Sequence, residues 1–150
     1  MLVANGPWSQ HAADWLGTEV PVIPLRGQIM HVSPLDGVLM PRYAISTRPV
    51  TCCQRRVATS SQGTTEERVG FDPYPTMEAQ NGILEAVIRF APNVLDAPIR
   101  DLTACLRPYS LDETPILGPV PGTESPFLLT SHGYKGITLA SSRARRWRSR

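Results

Sequence analysis

The sequence predicts an α+β fold: a mixed, largely antiparallel sheet with one main helix packed on one face. Three observations point there. Extended, turn-bounded segments outnumber helical ones. Proline makes up 15 of 150 residues, which disfavours long uninterrupted helices. One stretch, Thr76 to Ala91, carries a clear helical apolar stripe.

Taken in order, Leu2-Val3-Ala4-Asn5-Gly6-Pro7-Trp8-Ser9 reads as the end of a buried strand running into a turn. Ser9 is placed to cap a short helix, Gln10 to Leu16, which Gly17 closes. Val20 to Pro24 is extended and leads through Arg26-Gly27-Gln28 to a strand over Ile29 to Val32. Pro34-Leu35-Asp36-Gly37 has turn chemistry, and Val38 to Met40 starts another strand. In the main helix Thr76 is the cap, Glu78 suits the first turn, Ile83, Leu84, Val87 and Ile88 form the stripe, and Pro92 is the stop. Further strands are expected at Ile99 to Leu106 and at Phe127 to Thr130.

Composition narrows the function classes. A 41% hydrophobic content with 19% charged residues fits a globular chain and argues against disorder. At this length roughly 68–70% of the unfolded surface can be buried. No apolar run approaches a membrane span, and Met1 to Pro7 lacks the pattern of a signal peptide. Cys52, Cys53 and Cys105 form neither a disulfide framework nor a zinc pattern, so reduced thiols and a cytoplasmic setting are expected. His11, His31 and His132 are dispersed, and no metal site is expected. The formal charge is +2, yet the last ten residues hold five arginines and no acid, which leaves −3 on residues 1–140.

Three stretches carry chemistry. Arg107-Pro108 follows a strand, and an arginine fixed there can clamp a carboxylate through two parallel hydrogen bonds. Ser131-His132-Gly133-Tyr134-Lys135-Gly136-Ile137-Thr138 is a glycine-containing turn that opens a helix, offering bare N–H groups to an electron-rich ring edge. The third is Ala4-Asn5-Gly6. Singly, each has a plainer reading, as a salt-bridge arginine or as ordinary turns.

Their order is more specific. Together with Pro24-Leu25-Arg26-Gly27-Gln28, Gly63-Thr64-Thr65-Glu66, Val69-Gly70-Phe71-Asp72 and Pro115-Ile116-Leu117-Gly118, they resemble the C-terminal half of the FAD-dependent D-amino acid oxidase superfamily. The likeness is greatest to its glycine oxidase branch, of thiamine biosynthesis, and it covers most of residues 2–140. It implies an oxidoreductase that passes hydride from an amine Cα–H to FAD, after which the imine hydrolyses. On that mapping Arg107 would bind the carboxylate of a small amino acid or amine substrate. Ala4, Asn5 and Gly6 would line the FAD, and the backbone of Gly133, Tyr134, Lys135, Gly136, Ile137 and Thr138 would edge its ring. Gly63 to Glu66 would be a structural turn. The implied organisation is a remnant of the FAD-binding domain over 1–18, a substrate domain over 19–110, a return into the FAD-binding domain over 111–140, and a basic tail over 141–150.

Three departures accompany the likeness. The family's G-x-G-x-x-G turn would stand well upstream of Ala4, so weak flavin binding and little activity are expected of residues 1–150 alone. One alternative follows: a docking subunit that completes a separately encoded FAD-binding chain. The second departure is residues 45–62, where the family has a tyrosine-bearing strand, a tight turn and a second strand, and where alternation is lacking here. Codons permitted by these residues spell strand, Ser-Gly-Asp turn and strand in another frame, so a frameshifted segment is expected. The third is Ser141 to Arg150, where the family continues as an apolar helix. Out-of-frame translation of GC-rich codons explains that tail. A solvated disordered end is its plain alternative, and a nucleic-acid-binding tail is disfavoured because the body is acidic. Sequencing the gene checks the frame reading: compensating single-base indels against close relatives are expected beside these codons, and their absence ends it.

Overall fold

In a computed structural model of the chain, residues 1–33, 44–47, 50–55, 59–123 and 125–148 are described. The strands are β1 (Leu2–Val3), β2 (Ile23–Val32), β3 (Ile45–Ser46), β4 (Thr51–Arg55), β5 (Thr59–Gly63), β6 (Ile99–Tyr109), β7 (Ile116–Pro119) and β8 (Phe127–Thr130). The α-helices are α1 (Ala13–Leu16), α2 (Met77–Val87) and α3 (Gly136–Arg148), with 3-10 turns at Gly6–Ala12, Pro92–Asp96 and Gly133–Lys135. The α+β expectation holds, with a five-stranded sheet ordered β3-β4-β5-β2-β6 and a three-stranded sheet ordered β1-β8-β7. The turn expected at Pro34 to Gly37 and the strand expected at Val38 to Met40 lie outside the described residues.

The chain divides into two compact units. The second comprises Arg26–Glu67 and Asp72–Cys105. Its core is one face of the sheet covered by α2. Thr76 caps that helix as expected, its Oγ1 accepting from the Ala79 N–H at 3.3 Å. Ile83 and Val87 are buried against Met30, Val32, Val50 and Val94, with Leu84 and Ile88 alongside. The helix stops at Val87 rather than Ala91. Pro92 has no N–H and pushes Ala91 out of the helical region, so the chain leaves through a turn and enters a 3-10 segment.

Strands form at 45–46, 51–55 and 59–63 despite the lack of pattern in the sequence there. Strands β4 and β5 pair antiparallel from Thr51↔Gly63 to Arg55↔Thr59, and β5 pairs with β2 from Ile29↔Gly63 to Val32↔Ser60. Backbone pairing with the long strand β2 does not require alternating side chains. The mismatch appears instead in the core: Ser60 and Gln62, both fully buried, stand opposite Val32 and Met30. Gln62 Nε2 donates to Ser60 Oγ at 2.8 Å, while Gln62 Oε1 has no hydrogen-bond partner among the described residues.

Strand β2 starts at Ile23, earlier than expected, because Arg26 is taken into the interior at 4% exposure. Its guanidinium meets Glu67 Oε2 at 2.6 Å, Asp72 Oδ2 at 2.6 Å and the Tyr74 carbonyl at 2.9 Å. Gln28 Nε2 donates to Glu67 Oε1 at 2.8 Å, and Gln28 Oε1 accepts from the Thr76 N–H at 2.7 Å. The network thus ties β2 to the start of α2. Gly63 belongs to the same region: a Cβ there would lie 2.9 Å from the Gln28 carbonyl oxygen, too close for any other residue.

The first unit comprises Met1–Leu25, Arg68–Phe71 and Leu106–Arg150. Strand β1 runs parallel to β8, and β7 pairs antiparallel on the other side of β8. Val3, Ala12, Val20, Val22, Val120 and Leu128 form its core. The rings of Trp8 and His11 stack on Phe71 at 6.1 and 5.2 Å. Residues 141–148, for which a disordered end was the plain alternative, continue helix α3.

Burial raises the Glu67 carboxyl pKa, but hydrogen bonds from Thr65, Arg26 and Gln28 outweigh it and hold the group below its ordinary 4.5. A depressed carboxyl contributes stability that is present above the unfolded value and lost as pH falls through the folded one. In urea denaturation, wild type should therefore lose more stability than Glu67→Gln on going from neutral pH to below 4.5. Arg26→Met should cost about 3 kcal/mol at neutral pH, because it strands two carboxylates. Equal acid sensitivity of wild type and Glu67→Gln contradicts this account.

Candidate functional site

Parallel pairing sends β1 and β8 the same way, so the segments that follow them emerge at one end of their sheet. After β1 come Ala4, Asn5 and Gly6, and after β8 come Ser131 and the turn Gly133–Lys135 that opens α3. The crevice outside the carboxyl ends of parallel strands is where open α/β sheets receive ligands.

A buried hydrogen-bond cluster fixes these two segments to each other. Ser9 Oγ lies 2.7 Å from the Gly6 carbonyl oxygen and 2.8 Å from Thr130 Oγ1, and Thr130 Oγ1 lies 3.1 Å from the same carbonyl. Two hydroxyl protons serve three oxygens, so one hydroxyl donates to the carbonyl and the other donates to it or to its neighbour. Ser9 is therefore not the helix cap that its sequence position suggests. It sits inside the 3-10 turn at zero exposure, turned inward. Thr130 also escaped the sequence reading, although alternation along β8 places it inward with Leu128.

The expected cofactor residues present mainly backbone. Ala4 and Asn5 are exposed and Gly6 is half-buried. Gly133 has φ +52, a left-handed conformation that glycine adopts without strain, and a Cβ there would meet nothing within 4 Å. The first-turn N–H groups of α3 have no carbonyl four residues back within the helix. Tyr134, Lys135 and Thr138 are exposed, and Ile137 stands 96% exposed. An open, donor-rich and partly apolar edge of this kind fits the rim of a flavin ring.

Arg107 comes from a third element of the same unit. It lies within β6, which continues to Tyr109, and not after the strand as expected. Pro108 is tolerated because β6 is the edge of its sheet. Alternation places Arg107 and Tyr109 on one face. Tyr109 Oη donates to Glu113 Oε1 at 3.1 Å, and the Arg68 guanidinium lies 5.8 Å from the centre of the Tyr109 ring. Among the described residues no group of three His, Cys, Asp or Glu side chains could hold a metal ion, and no helix is long and apolar enough to cross a membrane.

Comparison with known proteins shows the family and the fold. A family model described as FAD dependent oxidoreductase matches residues 1–145. Glycine oxidase of Pseudomonas aeruginosa is 34% identical over 97% of this chain, which spans 39% of that protein. The hydrogen cyanide synthase subunit HcnC of Pseudomonas protegens is 30% identical over 94% of the chain and 34% of its own length. Among solved structures, iminodiacetate oxidase from Chelativorans sp. BNC1 superposes with a TM-score of 0.86 at 27% identity, covering 96% of this chain and 40% of that one. Glycine oxidase from Geobacillus kaustophilus gives 0.88 at 19% identity, covering 96% and 39%, a likeness of fold. The chain thus spans about two fifths of the length of such relatives.

Removing the Thr130 hydroxyl should separate the two strand-end segments without unfolding the unit. In a double-mutant cycle of Ser9→Ala and Thr130→Val, we expect a coupling of about 1 kcal/mol from thermal or urea unfolding. Additive effects would show that the hydroxyls act independently.

Proposed function

We propose what this chain does from one premise: it belongs to the family of FAD-dependent oxidoreductases. Its residues form the substrate-clamping and ring-edging part of an enzyme that oxidises the C–N bond of a small amino acid or amine. The observation that carries this reading is the hydroxyl-locked pair of segments, 4–6 and 131–138, at the carboxyl ends of neighbouring parallel strands. Bound FAD supplies the two-electron acceptor. The protein's contribution is orientation. Arg107 holds the substrate carboxylate through a bidentate pair, which fixes the Cα–H. Ala4 to Gly6, the backbone of Gly133 to Thr138 and the N-terminal end of α3 would hold the ring edge. In this reading residues 1–18 and 111–140 belong to the FAD-binding part and residues 19–110, Arg107 among them, to the substrate domain.

No G-x-G-x-x-G occurs within residues 1–150, so these residues by themselves supply no helix-terminal cradle for the pyrophosphate of FAD. Residues 1–150 taken alone are expected to bind flavin weakly and turn over slightly. A second reading has its own observation in the first unit, where Leu2, Tyr134 and Ile137 are exposed and β1 forms a sheet edge. Apolar residues beside an open strand edge suit the docking of a complementary FAD-binding chain. Co-purification with such a chain favours that reading.

Gel filtration after incubation with FAD should leave the purified chain with far less than stoichiometric flavin absorbance, and stoichiometric retention would overturn the weak-binding claim. Glycine affinity, read by calorimetry, should fall at least tenfold in Arg107→Gln, the loss of one charge-assisted pair. Unchanged affinity removes Arg107 from the clamp.

A further inference from the structure

The first unit contains a cavity of about 30 Å³, lined by Tyr109, Ser110, Glu113, Ser131 and the turn 132–135. Among the described residues, Glu113 (φ 57) and Ser131 (φ 60) are the non-glycine residues with left-handed backbone. They come from different loops, yet both line this cavity. Strained backbone of this kind persists only where surrounding structure enforces it, and it concentrates at ligand clamps. Ser131 is 3% exposed, and its hydroxyl has no hydrogen-bond partner among the described residues. A buried hydroxyl without a partner is costly, and a polar occupant relieves it.

The lining defines the occupant. Tyr109 spends its proton on Glu113 and its oxygen also meets the Arg68 guanidinium, which leaves the second Glu113 oxygen and Ser131 Oγ as the main acceptors. The Glu113 hydrogen bond raises the Tyr109 pKa above its ordinary value, so the phenol stays neutral. Lys135 directs its ammonium to the face of Tyr134, 5.3 Å from the ring centre. The volume admits about two water-sized groups. That suits an aminomethyl head and is small for a guanidinium, while a carboxylate would face Glu113.

We propose that this cavity binds a primary ammonium group. If Arg107 holds a carboxylate, as in the function proposed above, the cavity defines a substrate class. Tyr109 lies two residues beyond Arg107 on the same strand face, roughly 7 Å along it. A substrate that spans both points is an amino acid with a basic side chain, its carboxylate on Arg107 and its distal ammonium between Glu113, Tyr109 and Ser131.

The test uses the isotopically labelled full chain and two half-ligands, propylamine and propionate, followed by amide chemical shifts. Propylamine should move Glu113, Ser131 and Gly133 saturably, and its affinity should fall at least tenfold in Glu113→Gln. Ser131→Ala, which keeps the fold's volume, should weaken it as well. Propylamine that leaves these amides unmoved, as a cavity holding only water would, overturns the proposal, and so does an unaltered affinity in Glu113→Gln. Propionate reports the other reading separately: if it spares Arg107 while propylamine behaves as expected, the ammonium site stands and the carboxylate clamp falls.

Discussion

The hydroxyls of Ser9 and Thr130 meet over the carbonyl of Gly6, and the geometry of the site follows from that meeting. Strands β1 and β8 are short, four residues or fewer each, and cannot alone dictate where the chain goes after them. The hydroxyl pair adds a fixed point beyond the strand ends. It buries polar groups only because each finds a partner, so the cluster tolerates little change in geometry. The 3-10 turn after β1 and the turn before α3 are thereby held at one end of the sheet, with bare backbone at Gly133 directed to open space.

The second unit rests on a different polar device. Arg26 is an arginine at an interior position of a strand, and it is satisfied by two carboxylates and a carbonyl. Such a network is worth little as net stabilisation over apolar packing, but it is severe on any single loss. It also sets position, since Gln28 reaches from β2 to the N–H of Thr76 where α2 begins. The apolar stripe of Ile83 and Val87 then falls against Met30 and Val32.

What was legible in the sequence follows from which interactions are local. The cap at Thr76, the stripe on α2, the strand at Phe127–Thr130 and the overall α+β class depend on spacing and turn chemistry, and they appear as read. The family was legible from motif order. Non-local partners were not. Ser9 looks like a cap until Thr130 is known to stand 2.8 Å away, and Arg26 reads only as the lead into a strand at Ile29 until Glu67 and Asp72 surround it. Strand β6 runs past Leu106 through Pro108 because it is a sheet edge, a fact of topology rather than of propensity. Strands β4 and β5 form on a sequence without alternation, and the unpartnered Gln62 Oε1 in the core records the conflict. Tyr109 and Glu113 gave no signal, and Ser131 only marked the start of a turn, since their meeting depends on two loops distant in sequence.

The central claim is that segments 4–6 and 133–138 together form the edge that receives the flavin ring. Photolabelling answers it most directly: an azido-substituted flavin is irradiated with the purified chain, and the modified peptides are located by mass spectrometry. Label confined to peptides that carry Ala4 to Gly6 and Gly133 to Thr138, and competed away by unmodified FAD, is the predicted result. Competable label on α2 or on β3 to β5, with none at the strand-end segments, would contradict it.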